Sequence, residues 1–416
     1  MKTSAIFGFY RLSMDEKLKL VKEFAGLSEE ELKLLKKEGA LKLEIADKMI
    51  ENVIGTSQLP FGIATSFLIN GKDYLVPMVI EEPSIVAAAS NAAKIAREKY
   101  GFKASSDEPI MIGQIQILNV GNAESAIKKI IEKKAEIVSI ANEIDPSLKK
   151  YGGGAVDVEA RSVKTARGIM VIVHLLVNVS NALGANKVNT MCEGLTPYFE
   201  ELVGGTVRLR ILSNLATHRV ARSEAIFPKK IIGETAVENI LDAYEFAKND
   251  IYRCATHNKG IMNGIIAVAT ATGNDTRALE AGAHAYASMD GYKPLTRWEK
   301  TKDGDLKGSI ELPIAVGIVG GSISVNPISK IGLRILGVKT ARELSEVMAS
   351  VGLAQNFAAI YALSTEGIQR GHMELHARNI AVIAGAKGNE VDRIAERLVK
   401  EKNITLGRAK ELLVKR

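Results

Sequence analysis

Cysteine is nearly absent from this chain of 416 residues, with Cys192 and Cys254 the only two. Two thiols exclude a disulfide-stapled scaffold and a cysteine zinc site, and they predict a reduced, cytoplasmic setting. Proline (10) and aromatic residues (5%) are sparse, and the 36 glycines follow no collagen-like period. A fibrous chain and a low-complexity linker are therefore excluded. Long hydrophobic runs are missing too. The longest apolar stretch, Ile169 to Val177, is interrupted by His174 and is too short to span a bilayer. The opening MKTSAIFGFYRLSMDEKLKL has no apolar core of signal-peptide length before its charges begin. These absences predict a soluble, intracellular protein with no membrane partner.

What is present is the material of a folded enzyme-sized chain. With 46% hydrophobic and 25% charged residues, it can bury a large core, and its length suggests two or three domains. The net charge of +7 is modest, but residues 375–416 hold 10 basic and 5 acidic side chains, hence +5 of it. Such a tail can meet nucleic acid, a membrane surface or a phosphorylated small molecule, or can simply be a solvated helix face. It lacks the interleaved aromatics of a single-strand binder, so nucleic acid is the weakest of these readings.

The pattern along the chain predicts an α+β protein. Ser13-Met14-Asp15-Glu16 and Ser28-Glu29-Glu30-Glu31 have the Ser-x-x-Glu form of a capping box, predicting two short helices, with Gly39 as a left-handed end to the second. Ala64–Asn70 and Tyr74–Ile80 read as a hairpin turning at Gly71-Lys72-Asp73, and Ser84–Tyr100 is an Ala-rich helix. From Pro109 the order becomes β-α-β-β-α-β: a strand at 110–117, a helix at 123–143, strands at Ala155–Arg161 and Ile169–Val179, a helix at Lys187–Leu202, and a strand on which Val207, Leu209 and Ile211 alternate with arginines. That order is the split βαβ, ferredoxin-like pattern. We expect residues 109–214 to be inserted into a larger, helix-rich mixed α/β domain built from 1–108 and 215–374. A strand-like segment is expected at Ile314–Ser324, and an amphipathic helix bearing Val391, Ile394, Ala395, Leu398 and Val399 lies in the last piece, 375–416.

Four clusters carry candidate chemistry. Glu81-Glu82-Pro83-Ser84 puts two carboxylates at a strand end, suited to proton transfer or, more plainly, to a helix start. Thr256 through Gly264 places Lys259 directly before Gly260 in a string that ends on Gly264, with Asn263 and, further on, Asp275 nearby in sequence. Lys259 can stabilise an oxyanion, form a Schiff base, or stand on a capped helix as a surface lysine. Gly371-His372-Met373-Glu374-Leu375-His376 spaces two histidines at i and i+4 without a third ligand, which disfavours zinc and leaves a general acid or a plain surface histidine. Asn181-Ala182-Leu183-Gly184-Ala185-Asn186 precedes a helix and can present amides to a phosphate. It is not a G-x-G-x-x-G string, so no Rossmann fingerprint is present.

Together with Glu51-Asn52-Val53-Ile54-Gly55, the string Glu81 through Ser90, His257 through Gly264, and Gly371-His372-Met373 resemble 3-hydroxy-3-methylglutaryl-CoA (HMG-CoA) reductase of class II, from Arg11 essentially to the end. The resemblance implies reduction of HMG-CoA to mevalonate and CoA by two nicotinamides, without a metal. It implies that Lys259 holds the thioester oxygen, Glu82 shuttles a proton, Asp275 sits between them, and His372 protonates the departing thiolate. Arg253, Ser84 and Asn263 would hold the hydroxymethylglutaryl group, Arg11 a CoA phosphate, and Asn214 would line the site. The small domain would bind the dinucleotide through Asn181, where the family usually has aspartate, Gly184 and Asn186. Asp145 would meet the adenosine ribose, which implies NADH, whereas Lys149 and Lys150 would suit NADPH. The last segment would be a mobile flap, and the enzyme a homodimer or larger homo-oligomer with sites at the subunit boundary. Alternatives are another acyl-CoA reductase, a Schiff-base enzyme, or a non-catalytic CoA-binding protein on the same fold.

Overall fold

A computed structural model describes residues 3–365 and 368–414, and for residues 368–375 the backbone alone. The two capping boxes form as the sequence predicts. Ser13 and Ser28 accept the amides of Glu16 and Glu31, whose carboxylates return the bond to the cap amides, starting α1 (Met14–Ala25) and α2 (Glu29–Lys36). Gly39 is left-handed, but α2 already ends at an extended Lys37, so the helix stops two residues earlier than expected. After the single turn α3 (Leu43–Ala46) the chain runs without regular structure to Pro60, leaving Ile50 and Ile54 exposed. The hairpin β1 (Phe61–Ile69) and β2 (Lys72–Val79) turns on Asn70-Gly71, both at positive φ. That is the tight two-residue turn whose twist matches the strands, and it draws Lys72 and Asp73 into β2 rather than the loop. On α4 (Ile85–Arg97), Ala89, Ala92, Ala93 and Ala96 are fully buried, and these small side chains let the helix lie close on β1. It leads to β3 (Phe102–Ser106).

Between β3 and its partner strand lies the excursion with its own sheet. It comprises β4 (Ile110–Leu118), α5 (Ala123–Glu132), α6 (Lys134–Ile144), β5 (Gly154–Thr165), β6 (Gly168–Asn178), α7 (Ala185–Gly194), α8 (Thr196–Val203) and β7 (Thr206–Ser213). Each predicted helix is split in two, at Lys133 and at Leu195, after which Thr196 and Pro197 open α8. The antiparallel sheet order is β5-β6-β4-β7, the order a split βαβ unit generates. Its core gathers Ile115, Ile117, Ile130, Val173, Val188 and Phe199. One expectation fails on β7. A register shift opposite Ile115 and Ile117 flips the alternation, so Val207 is buried while Leu209 and Ile211 face outward and Leu212 packs inward.

β8 (Val220–Phe227) then pairs antiparallel with β3, and the large sheet closes in the order β2-β1-β3-β8-β10-β9. α9 (Lys229–Ile232), α10 (Glu234–Asn249), α11 (Ile251–Ala271) and α12 (Thr276–Ala287) precede β9 (Thr296–Lys300) and β10 (Leu306–Pro313). The segment 314–320 is extended but is not a ladder strand. It is held by Ile314 N–H on Arg219 O, by Ile318 N–H on Asn181 O and by an isolated bridge at Ala182 and Val319, ahead of a 3₁₀ turn at Gly321–Ser324.

After α13 (Pro327–Leu336) comes α14 (Ala341–Ser364), a 24-residue helix long and apolar enough to cross a membrane by length and composition alone. It is instead a core helix, packed on α4, α10, α11 and strands β3, β8 and β10. Glycines set its approach to α11: a Cβ on Gly264 would lie 3.0 Å from Gln355 Cβ, and one on Gly352 would lie 2.9 Å from Ile265 Cδ1. The last helices, α15 (Ile368–Ile383), α16 (Asn389–Lys400) and α17 (Leu406–Val414), form a separate apolar cluster around Ala381, Ile394, Leu398 and Leu412. The predicted stripe on α16 is real, with Ile394, Ala395 and Leu398 buried.

Candidate active site

The site is assembled by α11 and the β2–α4 connection. Asp250 caps α11 by accepting the Arg253 amide, and along the helix Lys259 and Asn263, one turn apart, share a face. Lys259 Nζ lies 2.9 Å from Glu82 Oε2, and Asn263 Nδ2 donates to the same oxygen at 3.3 Å. The structure thus joins, across 177 residues of sequence, two strings that sequence reading could place only side by side. An ammonium and a neutral amide converge on one half-exposed carboxylate, an arrangement with one cationic donor that is suited to proton transfer and to a developing oxyanion.

The remaining strings around this cluster divide between chemistry and scaffold. Ser84, two residues after Glu82, is the left-handed residue before α4 (φ 73) and makes no side-chain cap bond. A non-glycine residue held in that region is strained, and its hydroxyl is left for other partners. Arg253 is half-buried, and its guanidinium has no hydrogen bond or ion pair among the described residues. Burial pulls its pKa below the ordinary value. A desolvated cation without a carboxylate suits an anionic ligand group. His257, in the same string, is no candidate. It is buried, bonded through Nε2 to Thr296 Oγ1 at 2.7 Å, and burial, aided by the Arg253 charge, pushes its pKa down to about 3. Gly264 serves the α11–α14 contact, so only part of this string belongs to the candidate site.

Asp275 is the N-cap of α12. Its Oδ1 accepts the Arg277 and Ala278 amides, and among the described residues it has no bond to Glu82 or Lys259. Asn214 is exposed between β7 and β8, its backbone carbonyl pressed where a Cβ on Gly282 would stand 2.5 Å away. The side chain of His372 lies outside the described residues.

Beside α4 runs a cleft of about 1400 Å³ lined by Phe61, Ile63, Val21 and Leu35, with Arg11, Lys17, Lys94 and Arg97 among its basic residues. Arg11 donates from Nε to Tyr10 Oη, and Lys94 Nζ sits 4.3 Å from the Phe7 ring centroid. An apolar channel with basic residues suits a long phosphorylated thiol carrier, whose arm is apolar and whose far end is anionic. Sequence reading found Arg11 but missed Lys94. Its signal was available: Lys94 falls ten residues after Ser84, on the exposed side of an otherwise alanine-rich helix.

In the small sheet's layer, Gly184 is left-handed (φ 84) and opens α7 without a side-chain cap. The amides of the first turn therefore have no intrahelical carbonyl, and Asn186 in that turn is exposed. Asn181 is used differently. Its Oδ1 accepts the Ala341 amide at 2.9 Å and its carbonyl accepts Ile318 N–H, so it ties this loop to α14 and the 314–320 segment. Asp145 closes α6, takes Ser147 N–H and Oγ–H on Oδ1 and Lys187 Nζ at 2.9 Å on Oδ2. Burial pushes its pKa up, but the bonds from Lys187 and Ser147 outweigh it and hold the carboxyl below its ordinary value. Free helix amides, a buried carboxylate and nearby lysines fit the diphosphate and ribose of a dinucleotide. The described residues contain no group of three or more acidic, histidine or cysteine side chains able to hold a metal ion.

Comparison with known proteins decides the family. The family model described as hydroxymethylglutaryl-coenzyme A reductase matches residues 13–377. The chain belongs to the HMG-CoA reductase family. The 3-hydroxy-3-methylglutaryl-coenzyme A reductase of Archaeoglobus fulgidus is 59% identical over 412 residues, covering 99% of this chain and 94% of that one. A probable reductase of Borreliella burgdorferi is 36% identical over 363 residues, 85% of this chain and 82% of the relative. Among solved structures, the class II HMG-CoA reductase of Streptococcus pneumoniae bound to NADPH in open conformations superposes with a TM-score of 0.83 at 43% identity, covering 97% of this chain and 99% of that one. The mixed α+β architecture with two sheets is that of this reductase family.

Proposed function

We propose that this chain reduces HMG-CoA to mevalonate and CoA, consuming two reduced nicotinamide dinucleotides and two protons, in mevalonate and isoprenoid metabolism. The observation that carries the reading is the convergence of Lys259 and Asn263 on Glu82, inside a chain of the HMG-CoA reductase family.

A bound reduced nicotinamide supplies hydride to the acyl carbon. Lys259 donates to the thioester oxygen as it becomes an oxyanion, where a fixed cation gains most because the charge exists only beyond the ground state. Glu82, oriented by Asn263, moves a proton at the aldehyde stage, and Asp275 tunes that exchange from the α12 cap. Arg253 pairs with the free carboxylate of the hydroxymethylglutaryl group, Ser84 and Asn214 bond its polar atoms, and Arg11 meets a CoA phosphate at the cleft. His372 protonates the departing thiolate, which otherwise re-adds to the aldehyde.

The dinucleotide lies at Gly184 and Asn186 with its ribose toward Asp145, which favours NADH. Asn181 supports this loop from behind. In this reading 109–214 is the dinucleotide unit, 1–108 with 215–374 the substrate and CoA unit, and 375–416 a flap that closes for chemistry and opens for dinucleotide exchange. The assembly is a cytoplasmic homodimer with its sites at the subunit boundary, covering Ile50 and Ile54, which are 66% and 100% exposed in one protomer. Following the nicotinamide absorbance with HMG-CoA tests the function. Two dinucleotides oxidised per CoA released is the expected stoichiometry, and no HMG-CoA-dependent oxidation with either dinucleotide overturns the reading.

A further inference from the structure

We propose that Lys187 governs how this chain chooses between NADH and NADPH, by dividing its ammonium between the Asp145 carboxylate and the 2′-phosphate that NADPH alone carries. The proposal rests on the reading above, in which Asp145 and the start of α7 hold the adenosine end of the dinucleotide.

Lys187 stands where helix chemistry argues against it. It is the third residue of α7, in the turn whose unpaired amides form the positive end of the helix dipole. No acid follows one turn later, since position 191 is methionine. A local violation of this kind marks a residue kept for another purpose. Its partner comes from a different element, at the end of α6, with Nζ and Oδ2 2.9 Å apart. The two ends of this bridge differ in access: the Asp145 side chain is 9% exposed and that of Lys187 is 45% exposed. The carboxylate is fixed, held on its other oxygen by Ser147, whereas the lysine has room to turn.

The consequence for selection is direct. A bare carboxylate beside the ribose accepts a 2′-hydroxyl and repels a 2′-phosphate. Here the carboxylate is already neutralised by a lysine at the surface. Lys149 and Lys150 are exposed on the following turn and have no ion-pair partner among the described residues. At this ribose position one lysine, Lys187, therefore pairs with the aspartate, and two more follow that aspartate four and five residues along the chain. A 2′-hydroxyl donates to Asp145 while Lys187 stays in place. A 2′-phosphate instead meets an ammonium that leaves the carboxylate and pairs with the incoming dianion. Asp145 supplies a preference for NADH, and Lys187 keeps that preference narrow, so both dinucleotides bind.

The test is equilibrium binding to the full-length protein, by calorimetry, of NADH and NADPH and of the fragments ADP-ribose and 2′-phospho-ADP-ribose. For the parent protein the two dissociation constants should lie within about tenfold of each other. Lys187→Met should raise the ratio of the NADPH to the NADH constant by about tenfold or more, with the fragments following the same order. Lys187→Arg should restore the parent ratio, and Asp145→Asn should move it toward NADPH. Thermal unfolding of each variant separates a folding defect from a change of ligand choice. A ratio unchanged in Lys187→Met, or a parent that already excludes NADPH by more than about a hundredfold, overturns the proposal. If the parent binds neither dinucleotide nor fragment, the reading of the small domain has failed instead, and the two failures are distinguishable.

Discussion

Replacing Lys259 by alanine separates what that lysine contributes to folding from what it contributes to chemistry. Its ion pair with Glu82 spans 2.9 Å, with side chains 59% and 34% exposed. A pair so open to water contributes about 0–1 kcal/mol to stability. Glu82 also keeps its 3.3 Å bond from Asn263 when the lysine is gone, so the β2–α4 connection stays anchored. Thermal unfolding should shift by no more than about 1–2 °C in a chain of 416 residues. Turnover should respond on another scale. Loss of one donor aimed at an oxyanion costs about 3–4 kcal/mol, or about 10²–10³ in rate. The effect should fall on kcat more than on KM, because the bond forms with the charge and not with the substrate. The assay is the fall of nicotinamide absorbance at varied HMG-CoA, paired with a melting curve. Turnover within about tenfold of the parent refutes the role, as does an activity loss matched by a collapse of the melting temperature.

His372→Gln should impair reduction of HMG-CoA far more than reduction of free mevaldehyde, which releases no thiolate. Equal losses on both substrates would count against the assignment. Deleting residues 376–416 should leave the two-sheet body folded, because the removed helices keep their own apolar cluster, while turnover becomes negligible. Outright unfolding would make the segment core, and full activity would rule out a flap. For His257 the sign follows from its depressed pKa, about 3 in the fold against 6.5 unfolded. The unfolded chain binds the extra proton, so stability is present above pH 6.5 and is lost on acidification toward 3. The slope is about 1.4 kcal/mol per pH unit. Denaturant titrations of His257→Gln and its parent across that window should differ in slope by this one proton, and identical slopes would show that His257 is charged in the fold.

Much of this architecture was legible because short-range chemistry decides it. Ser-x-x-Glu starts α1 and α2, and the strand and helix periods around 110–214 produce the observed sheet order. What escaped is what neighbours impose. The outward turn of Leu209 and Ile211 comes from a register shift against β4, which alternation on one strand cannot reveal. The length and burial of α14 depend on the elements around it, and a scan for uninterrupted apolar runs passes over a helix carrying Arg342, Glu343 and Glu346. In the site, residue types pointed to Glu82, Lys259 and Asn263, but only the fold shows that Asn263 holds Glu82 while Asp275 bonds its own helix. The pairing of Lys187 with Asp145 joins positions 42 residues apart, and no local pattern announces it.

The burial of α14 also dictates an order of events during synthesis. The elements that pack most closely on its body, α4, β3, β8, α10, α11 and β10, precede it in the chain. The ribosome therefore releases the socket before the plug, and until residue 364 has emerged that socket presents Phe227, Ile261 and Ile265 to water. A nascent chain stalled before Ala341 carries an open apolar trough on an incomplete domain, the kind of surface that chaperones cover and that otherwise aggregates. Heating reverses the order at the same place. Withdrawal of α14 exposes both the trough and a 24-residue apolar helix at once, so thermal inactivation should be irreversible and its midpoint should move with scan rate and protein concentration.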